Sequence, residues 1–541
     1  MRYTIELHEQ KSPEYRFLYA LKRNLVSQFL SSMDNPRKTQ QKRLQRILSL
    51  FKGSAFAKEH DLHNVRSFSD FRRSAPIQTH QELYPWLQRV AMGEANVLVK
   101  ERTTALMETS GTTSVPKHIP VTRSWAKSIA DAQSLWVLSM VHDIPQVARG
   151  QALTMVSPAV HGHSSGGIPI GSNTGRMHQE QPWWVQNNYP IPYEVFSLKP
   201  SIVKQYVILR FALQANISSW TTANPSMVLL MTRRLEEWKD DLQLDLRGGT
   251  LRHGPASLLS EEKRAHLEKK LIKAASPFCW KPANIWPLAC VNCWKGGPAQ
   301  FFVEQLPNAL GGDIPIREVG ITASEGYFAL PLGQDWGGGV LWTMGHILEF
   351  VDESENCYFA WELEIHKRYR LIITTESGLY RYDLNDVVEV VGFCQNTPVI
   401  RFVGKYGRFL NALGEKVSEE QISMAVQQSK RLEDRIIGFT ARIVWGDRPS
   451  FQVAVEGSLS IGFGERLEEN LRSINLEYDS KRESGRMVKL SMLALRKGTY
   501  DRFRRLKTER GAPDGQLKDP IIALNDEEWN CIWSAHQDSD S

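Results

Sequence analysis

The sequence predicts an α/β protein: a large N-terminal domain of mixed β-sheets and helices, followed by a small C-terminal α+β domain. Three observations lead to this prediction. A chain of 541 residues is longer than one ordinary hydrophobic core accommodates. Helix-like and strand-like segments alternate over residues 1–400, and the pattern changes after RFVGKYGRFLNALGEK, which begins at residue 401. We therefore expect domains at residues 1–400 and 401–541.

The N-terminal part begins with amphipathic helical segments, such as KTQQKRLQRILSLF, over about residues 12–92. A short strand is expected at VLVK (97–100), before the polar loop METSGTTSVPKHIPVT (107–122). Apolar residues then recur at helical spacing, with Ser124 as the expected N-cap; they are Trp125, Ile129, Ala132, Trp136 and Met140. A strand, a glycine-containing loop and a helix in this order commonly hold phosphate.

The middle of the chain mixes both patterns. LEEWKDDLQ and SEEKRAHLEKKLIKAA are typical of helices, whereas GGGVLWTMGHILEFVD and YRLIITT are typical of strands. Turn and strand patterns in ESGLYRYDLNDVVEVVGF (376–393) end the larger block. Ser418 begins the capping box S-E-E-Q before a helix, and IIGFTARIVW and FQVAVEG then alternate as strands.

Composition narrows the function. Lys plus Arg is 66 against 60 for Asp plus Glu, and the net charge of +6 is too small and too scattered to indicate nucleic-acid binding. The N-terminus lacks the apolar stretch of a signal peptide, and no run of about 18 apolar residues predicts a membrane span. Cys290 and Cys293 form a lone C-x-x-C, which we interpret as two buried thiols rather than zinc or redox chemistry. A soluble, cytoplasmic protein is expected.

The loop from Thr109 to Lys117 has the residues of a phosphate site. Gly111 lets the backbone approach an anion, while hydroxyl groups and backbone N–H groups donate to phosphate oxygens and Lys117 adds positive charge. It is not a Walker A loop, because Pro116 precedes the lysine and His118 follows it. By itself the segment is equally well explained as an ordinary Ser/Thr-rich turn.

Two further elements carry acidic residues. In Ala323-Ser324-Glu325-Gly326 the glutamate suits Mg²⁺ at the end of a strand, although a turn glutamate is the simpler explanation. Tyr380-Arg381-Tyr382 is followed by Asp386, whose carboxylate suits the two hydroxyls of a ribose. The alternative for this third element is a structural arginine–aspartate pair.

Taken in order, these segments resemble a known family. TSGTTSVPKHIP, TASEGYFAL and GLYRYDLNDVVEVVGF with TPVIRFV are similar to the three nucleotide motifs of the acyl acid amido synthetases, the auxin-responsive Gretchen Hagen 3 family. This family lies within the adenylate-forming superfamily of acyl-CoA ligases and luciferases. LRGGTL, NIWP, KGTYDRF and RGAPDGQLKDP also match in order, so the resemblance covers most of the chain.

The resemblance implies a role for each matching residue. Phosphates of ATP would be held by Ser110, Gly111, Thr112, Thr113 and Lys117. The nucleotide would be lined by Thr322, Ala323, Ser324 and Tyr380, with Glu325 facing Mg²⁺ and phosphate and Asp386 binding the ribose. From the C-terminal domain, which the family uses as a mobile cap, the basic positions would be Lys405, Lys416 and Lys518, the last reaching the α-phosphate.

The implied reaction is the activation of a carboxylic acid with ATP to an acyl-adenylate, followed by acyl transfer to an amine, such as an amino acid. Coenzyme A, a hydroxyl group or a carrier protein as acceptor, and a nucleotide-binding member without turnover, remain alternatives. Three residues depart from the family pattern: Ile321 replaces an aromatic residue, Asn385 a glycine and Ile521 an arginine. Ile321 and Asn385 motivate the last alternative, and the retained site residues argue against it; these are Ser110, Lys117, Glu325, Asp386 and Lys518.

The acyl pocket is expected along the helix of residues 124–141, with Trp136 and Met140 as candidates, and along HGHSSGGIPIGS (161–172). His161 and His163 lie in this second segment without acidic neighbours in sequence, so a substrate-lining or surface loop is preferred to a metal site. No residue that deprotonates the amine is apparent from sequence.

Overall fold

The computed structural model describes residues 1–5, 7, 12–109, 117–259, 280–333, 336–510, 512 and 517–537. The chain divides into two compact units. Unit 1 comprises Met1–Lys295 and Gln305–Phe402, and unit 2 comprises Gly296–Glu304 and Val403–Ser541. The last boundary, between residues 402 and 403, lies close to residue 400. Nothing in the sequence predicted that the short segment Gly296–Glu304 would belong to the smaller unit.

The α-helices of unit 1 are α1 (Pro13–Asp34), α2 (Pro36–Phe51), α3 (Ala55–Glu59), α4 (Phe68–Ser74), α5 (His80–Ala91), α6 (Arg123–Asp143), α7 (Asn173–Gln179), α8 (Trp183–Gln186), α9 (Ser201–Ala212), α10 (Pro225–Glu237), α11 (Lys239–Gly248), α12 (Pro282–Ile285) and, after the segment that belongs to unit 2, α14 (Leu306–Leu310). Those of unit 2 are α13 (Gln300–Val303), α15 (Glu419–Ser429), α16 (Phe463–Ile474), α17 (Leu476–Glu483), α18 (Thr499–Glu509) and α19 (Asp526–Gln537).

The strands up to the end of the larger unit are β1 (Arg2–Tyr3), β2 (Ala105–Thr109), β3 (Lys117–Val121), β4 (Gln151–Thr154), β5 (Gly162–His163), β6 (Pro169–Gly171), β7 (Ile217–Thr221), β8 (Cys290–Cys293), β9 (Ile316–Glu318), β10 (Ile321–Ala323), β11 (Gly326–Leu330), β12 (Gly339–Leu341), β13 (Ile347–Val351), β14 (Cys357–Phe359), β15 (Arg368–Thr374), β16 (Tyr382–Cys394) and β17 (Thr397–Lys405), which runs across the boundary. Unit 2 continues with β18 (Phe409–Leu410), β19 (Val417–Ser418), β20 (Arg435–Val444), β21 (Ser450–Ser458), β22 (Ser491–Leu495) and β23 (Ile522–Ala523).

The helical start predicted for residues 12–92 is confirmed by α1 to α5. Each of these helices begins after a side chain that accepts a hydrogen bond from a backbone N–H of its first turn, which satisfies a donor that has no partner inside the helix. These caps are Ser12, Asn35, Ser54, Ser67 and Thr79. The helical segment SEEKRAHLEKKLIKAA lies outside the described residues.

The strand predicted at 97–100 is wrong: Val97, Leu98 and Val99 are buried but not in a strand, and the strand before the loop is β2. The sequence order strand, loop, helix also missed β3, which pairs with β2 in an antiparallel hairpin before α6 begins. The N-cap of α6 is Thr122, whose Oγ1 accepts a hydrogen bond from the N–H of Trp125 at 3.3 Å, and not Ser124.

Unit 1 is built on separate sheets. The largest joins β10, β11, β12, β17, β16, β15, β13 and β14 in that order, with β1 added beside β16. A parallel sheet has the order β4-β7-β8-β9, and a third sheet has the order β3-β2-β6-β5. One hydrophobic cluster joins the largest sheet and the third sheet with helices α1 to α6, and from the strands of the parallel sheet it includes Cys290. The largest sheet carries the second and third motifs, while the third sheet carries both ends of the first motif.

Unit 2 has a sheet of order β22-β21-β20-β23 and the small hairpin β18-β19. The predicted capping box is confirmed, since Ser418 and Gln421 satisfy each other's backbone N–H groups at the start of α15. The segment Gly296–Glu304 joins this unit through Phe301, which is buried and packs edge-on against Phe439 of β20 with ring centroids 4.8 Å apart.

The C-x-x-C thiols are free and buried in β8, as expected. Burial raises the pKa of Cys290 to about 11 and also raises the pKa of Cys293, so both thiols stay protonated and unreactive. None of the helices in the described part of the chain is long and apolar enough to cross a membrane.

Candidate active site

Glu325 occupies the tight turn between β10 and β11, next to Ser324. Its side chain is buried, and its backbone carbonyl accepts a hydrogen bond from the indole N–H of Trp125 in α6 at 2.8 Å. Gly326 is required here, because a Cβ at this position would lie 2.5 Å from the ring of His346. The turn is therefore fixed on both sides, and α6 is fastened directly to the second motif.

Thr322 and Ala323 form the strand that leads into this turn. They pair with Tyr327 and Gly326 of β11, and the register shifts between Ile321 and Thr322. Both residues keep partial exposure beside the buried Glu325. Ile321 itself is buried in the strand, which shows how an aliphatic side chain is accommodated where the family pattern has an aromatic one.

Asp386 lies in an irregular part of β16. In the pairing with β15, Ile372 faces Asp383 and Arg370 faces Val387, so extra residues bulge out of β16 just before and at Asp386. Asn385 within this bulge has a φ of 57°, in the left-handed region. Asparagine is among the few residues other than glycine that adopt this region readily, which explains why it replaces the family's glycine without loss of the bulge.

Tyr382 connects the second and third motifs. Its side chain is buried, and burial, together with the negative charges of Glu325, Asp383 and Asp386, raises the pKa of its hydroxyl. The tyrosine therefore stays neutral, and its O–H is available as a hydrogen-bond donor in the field of these carboxylates. The structure thus brings Glu325 and Asp386 into one electrostatic neighbourhood, although they are distant in sequence.

Tyr380 and Arg381 have structural contacts. Tyr380 is completely buried between Phe51 and Phe56, and its hydroxyl donates to the carbonyl of Leu98. These contacts place Tyr380 in the core of unit 1, and its contact with a nucleotide stays a prediction. Arg381 forms a bidentate ion pair with the buried Glu349, at 2.9 and 3.1 Å. It is therefore a structural ion pair, but with a glutamate rather than with Asp386.

The first motif is described at its ends. Ser110, Gly111, Thr112 and Thr113 lie outside the described residues. Lys117 begins β3 opposite Thr109, at the loop end of the hairpin. Its positive charge contributes, after burial, to lowering the pKa of His80 to about 4, so His80 is neutral beside it.

The predicted acyl-pocket residues on α6 are buried. The indole N–H of Trp136 donates to the carbonyl of Glu318 at 3.1 Å, and Met140 has its sulfur 4.0 Å from that of Cys290. Both side chains pack into the core of unit 1. Their contribution to an acyl pocket stays a prediction.

The histidine loop contains an arrangement that sequence reasoning missed. His161 has an acidic partner after all: its Nε2 lies 2.7 Å from Oε2 of the buried Glu108. The two residues are far apart in sequence and meet because β6 joins β2 to β5 in one sheet. The recognisable signal was the single acidic residue in METSGTTS, directly before the phosphate loop.

The basic candidates of unit 2 are exposed. Lys405 ends β17, and the ammonium of Lys416 lies 5.7 Å from the ring centroid of Phe409. Lys518 is exposed between two buried residues, Leu517 and Asp519. Asp519 pairs with the buried Arg504, and the carbonyl of Pro520 accepts a hydrogen bond from Thr440 at 2.6 Å.

This anchoring has a chemical consequence. The backbone on both sides of Lys518 is held against unit 2, so the ammonium group is directed away from the core of that unit on a fixed base. Ile521, at the position of the family's arginine, is buried, and its carbonyl accepts from the N–H of Ala441 at 2.8 Å. The departure is therefore a packing substitution next to Lys518.

The donor set around Glu325 fits Mg²⁺. The carboxylate is buried beside Thr322 and Ser324, and the described residues contain no cluster of three or more His, Cys, Asp and Glu side chains suited to a metal. Magnesium is commonly bound through one or two carboxylates together with water and substrate phosphates, rather than in a cage made by protein alone. A single carboxylate such as that of Glu325 suits this mode of binding, and its contact with Mg²⁺ stays a prediction.

The architecture of this chain has a counterpart among solved enzymes. The structure is similar to that of a 2-hydroxyisobutyryl-CoA ligase in its postadenylation state, with a TM-score of 0.54 at 12% sequence identity, over 92% of each chain. At this identity the similarity concerns the fold alone.

The chain belongs to the GH3 family. Family models match residues 25–316 as the GH3 N-terminal domain, 339–405 as the central domain and 420–527 as the C-terminal domain. The jasmonoyl–L-amino acid synthetase JAR4 of Nicotiana attenuata is 22% identical, over 96% of this chain and 95% of its own length. The solved GH3.15 acyl acid amido synthetase has a TM-score of 0.83 at 19% identity, over 94% of this chain and 95% of its own. The resemblance found in the sequence is thereby confirmed.

Proposed function

We propose that this chain is an ATP-dependent, AMP-forming acid–amine ligase, which activates a small carboxylic acid as an acyl-adenylate and transfers the acyl group to an amine, preferably that of an amino acid. The observation that carries the proposal is that the turn of Glu325, to which α6 is hydrogen-bonded, and Asp386 belong to one sheet, where both carboxylates act electrostatically on the buried hydroxyl of Tyr382. Membership in the GH3 family supports the reaction class.

In the first step an oxygen of the substrate carboxylate attacks the α-phosphorus of ATP, and the bond from that phosphorus to the β-phosphate oxygen breaks to release pyrophosphate. Negative charge accumulates around the α-phosphorus, so donors and cations directed at it lower the barrier. Asp386 is proposed to orient the ribose, and Lys117 and Lys518 to supply positive charge. Glu325 would hold Mg²⁺, which supplies charge neutralisation at the phosphates when bound.

In the second step the amine nitrogen attacks the acyl carbonyl carbon, and AMP leaves with the electron pair of the former carbon–oxygen bond. Only the neutral amine has the required lone pair, so a group that accepts its proton is needed. Water competes for the same carbonyl, which favours an enclosed site. The expected mobile cap, unit 2, is proposed to close over the intermediate.

ATP and Mg²⁺ are the proposed cofactors, and a small carboxylic acid and an amine the proposed partners. We place the reaction in the cytoplasm, because Cys290, Cys293, Cys357, Cys394 and Cys531 are all free thiols in the structure, and thiols persist in a reducing compartment.

The test is a direct assay of both steps. Purified protein is incubated with ATP, Mg²⁺ and a panel of aryl, indole and fatty acids, with pyrophosphate release followed in the presence of amino acids or of coenzyme A. Acid-dependent pyrophosphate together with an amino-acid-dependent amide is the expected result. A thioester or ester product would overturn the amine acceptor, and no pyrophosphate from any acid would overturn adenylation.

A further inference from the structure

A cluster of titratable side chains lies on one face of the β3-β2-β6-β5 sheet. Glu108 of β2 faces His118 of β3 in the antiparallel pairing. His161, just before β5, reaches the same carboxylate with its Nε2 2.7 Å from Oε2 of Glu108. The side chain of Glu108 is 8% exposed, whereas that of His161 is 38% exposed. A buried carboxylate therefore holds one edge of an imidazole that is open to solvent.

This geometry fixes the chemistry of the imidazole. An N–H at Nε2 donates to the carboxylate, so the lone pair of the neutral ring lies on Nδ1. Nδ1 makes no hydrogen bond to a residue in the part of the chain that the structure describes. A carboxylate that orients an imidazole through one nitrogen, and compensates the charge when the other nitrogen takes a proton, is the arrangement of a general base.

The two neighbouring histidines, His118 and His80, carry no charge. Burial, its main cause, lowers the pKa of His118; the charge of Glu108 opposes this shift and that of His161 adds to it. His118 is therefore neutral, and so is His80 beyond it, whose pKa is lowered to about 4. Lys117 is the cation that acts on His80 in this cluster. When His161 takes a proton, Glu108 is the group that balances its charge.

The cluster also lies where the reaction needs it. Glu108 and His118 form the second residue pair from the loop end of the hairpin, next to the pair formed by Thr109 and Lys117. One residue along a strand advances about 3.3 Å. The pair is thus one step from the segment proposed to hold the ATP phosphates, and no other histidine–carboxylate contact at hydrogen-bond distance in the described residues adjoins that segment.

We propose that His161, oriented by Glu108, is the base that deprotonates the acceptor amine, which rests on the proposed function above. The ammonium group transfers one proton to Nδ1 of His161, and the freed lone pair of nitrogen forms the bond to the acyl carbonyl carbon. The tetrahedral adduct then loses AMP, which takes the electron pair of the broken carbon–oxygen bond, and the second proton on nitrogen leaves to solvent. The imidazolium returns its proton to solvent for the next turnover.

The test compares His161→Asn with His63→Asn, a matched control whose exposed imidazole also faces a carboxylate, that of Asp61 at 3.5 Å, outside the proposed site. Acid-dependent exchange of pyrophosphate into ATP measures the first step, and single-turnover conversion of the acyl-adenylate to amide measures the second. His161→Asn is expected to keep normal exchange and to slow amide formation by about 10²- to 10⁴-fold, the usual contribution of a general base. His63→Asn is expected to keep both rates.

Two further readouts separate a base from a structural histidine. The rate of amide formation should lose its histidine-dependent rise with pH in His161→Asn, and hydroxylamine, which is neutral at the assay pH, should restore most of the rate. Glu108→Gln should also slow amide formation while exchange stays normal, because the carboxylate that orients the imidazole is gone. An equal loss of exchange and amide formation, no rescue by hydroxylamine, or normal amide formation in His161→Asn would overturn this proposal alone. Absence of exchange in the unmodified protein would overturn the proposed function.

Discussion

Replacing Glu349 by glutamine should destabilise unit 1 and loosen the third motif. The Glu349 side chain is 1% exposed and lies between two guanidinium groups. It accepts from Nε of Arg72 at 2.8 Å and from Arg381 at 2.9 and 3.1 Å. Arg381 also donates to the backbone carbonyl of Ala75 at 2.8 Å, so its guanidinium is fixed in place and cannot move to solvent.

The expected cost follows from this burial. Removing one partner of a buried ion pair leaves an uncompensated charge, which costs about 3–5 kcal/mol. Glu355→Gln is the matched control: its carboxylate, 61% exposed, pairs with Arg370 at 2.8 Å on the surface of the same sheet. An exposed pair contributes at most about 1 kcal/mol.

Urea unfolding followed by tryptophan fluorescence measures the difference, since Trp125, Trp220 and Trp342 are fully buried in unit 1. Glu349→Gln should also weaken the binding of AMP, because Arg381 immediately precedes Tyr382 and the bulge that carries Asp386. If both variants unfold at the same urea concentration, the argument from burial is refuted.

The other predictions concern single side chains. Lys518→Ala should slow pyrophosphate exchange by about 10²–10³-fold, as for the loss of one transition-state contact. Lys497 is also exposed, and Lys497→Ala should leave the exchange rate unchanged. Equal rates in both variants would show that Lys518 does not reach the α-phosphate. Asp386→Asn should weaken AMP binding in calorimetry by about 10–100-fold, the value of a hydrogen bond to a charged group, and unaltered binding would exclude it from the ribose site. Asn385→Ala should lose about 1–2 kcal/mol of unfolding free energy at its φ of 57° while Asn385→Gly loses much less, and the reverse order would contradict the left-handed assignment. Burial, with the charge of Arg43 as a smaller cause, lowers the pKa of His346 to about 3, so the unfolded chain binds the proton more readily. The free energy of unfolding should therefore decrease as the pH falls from about 6.5 towards 3, by up to about 1.4 kcal/mol per pH unit. His346→Leu should remove this pH-dependent component, and an identical pH dependence in both proteins would contradict it.

Much of the local structure was accessible from sequence because it is encoded locally. Ser418 and Gln421 form their capping box within one helical turn, and the periodicity of residues 12–92 depends on neighbours three and four positions apart. The strand at β15 and the strands β20 and β21 likewise follow from runs of apolar and β-branched residues. Such features need no knowledge of the rest of the chain.

The errors arose where tertiary contacts decide. Val97, Leu98 and Val99 are apolar because they pack into the core. The hydroxyl of Tyr380 donates a hydrogen bond to the carbonyl of Leu98, and in the described part of the chain no strand pairs with these three residues. The burial of these residues therefore produced the apolar pattern that the sequence analysis interpreted as a strand. Thr122 replaced Ser124 as the N-cap because β3 runs on to Val121 and sets where the helix begins.

The acidic residues of the site were named from sequence, but their relation was not. Glu325 and Asp386 stood out because of their turns and the order of the motifs, whereas Tyr382 between them could be recognised only once β10 and β16 lay in the same sheet. Glu108 and His161 were missed for the same reason, since their contact depends on β6 as the strand between them.

The short segment that contains Phe301 affects how this protein can be divided experimentally. The chain passes between the units at 295/296, 304/305 and 402/403, so the smaller unit is not simply the C-terminal end of the polypeptide. A fragment that starts at Val403 would leave the ring of Phe439, 1% exposed in the whole chain, without its aromatic neighbour and open to water. Truncation, domain exchange or circular permutation should therefore carry residues 296–304 along with the cap, because a cut placed at 402/403 alone separates a core from part of its own packing.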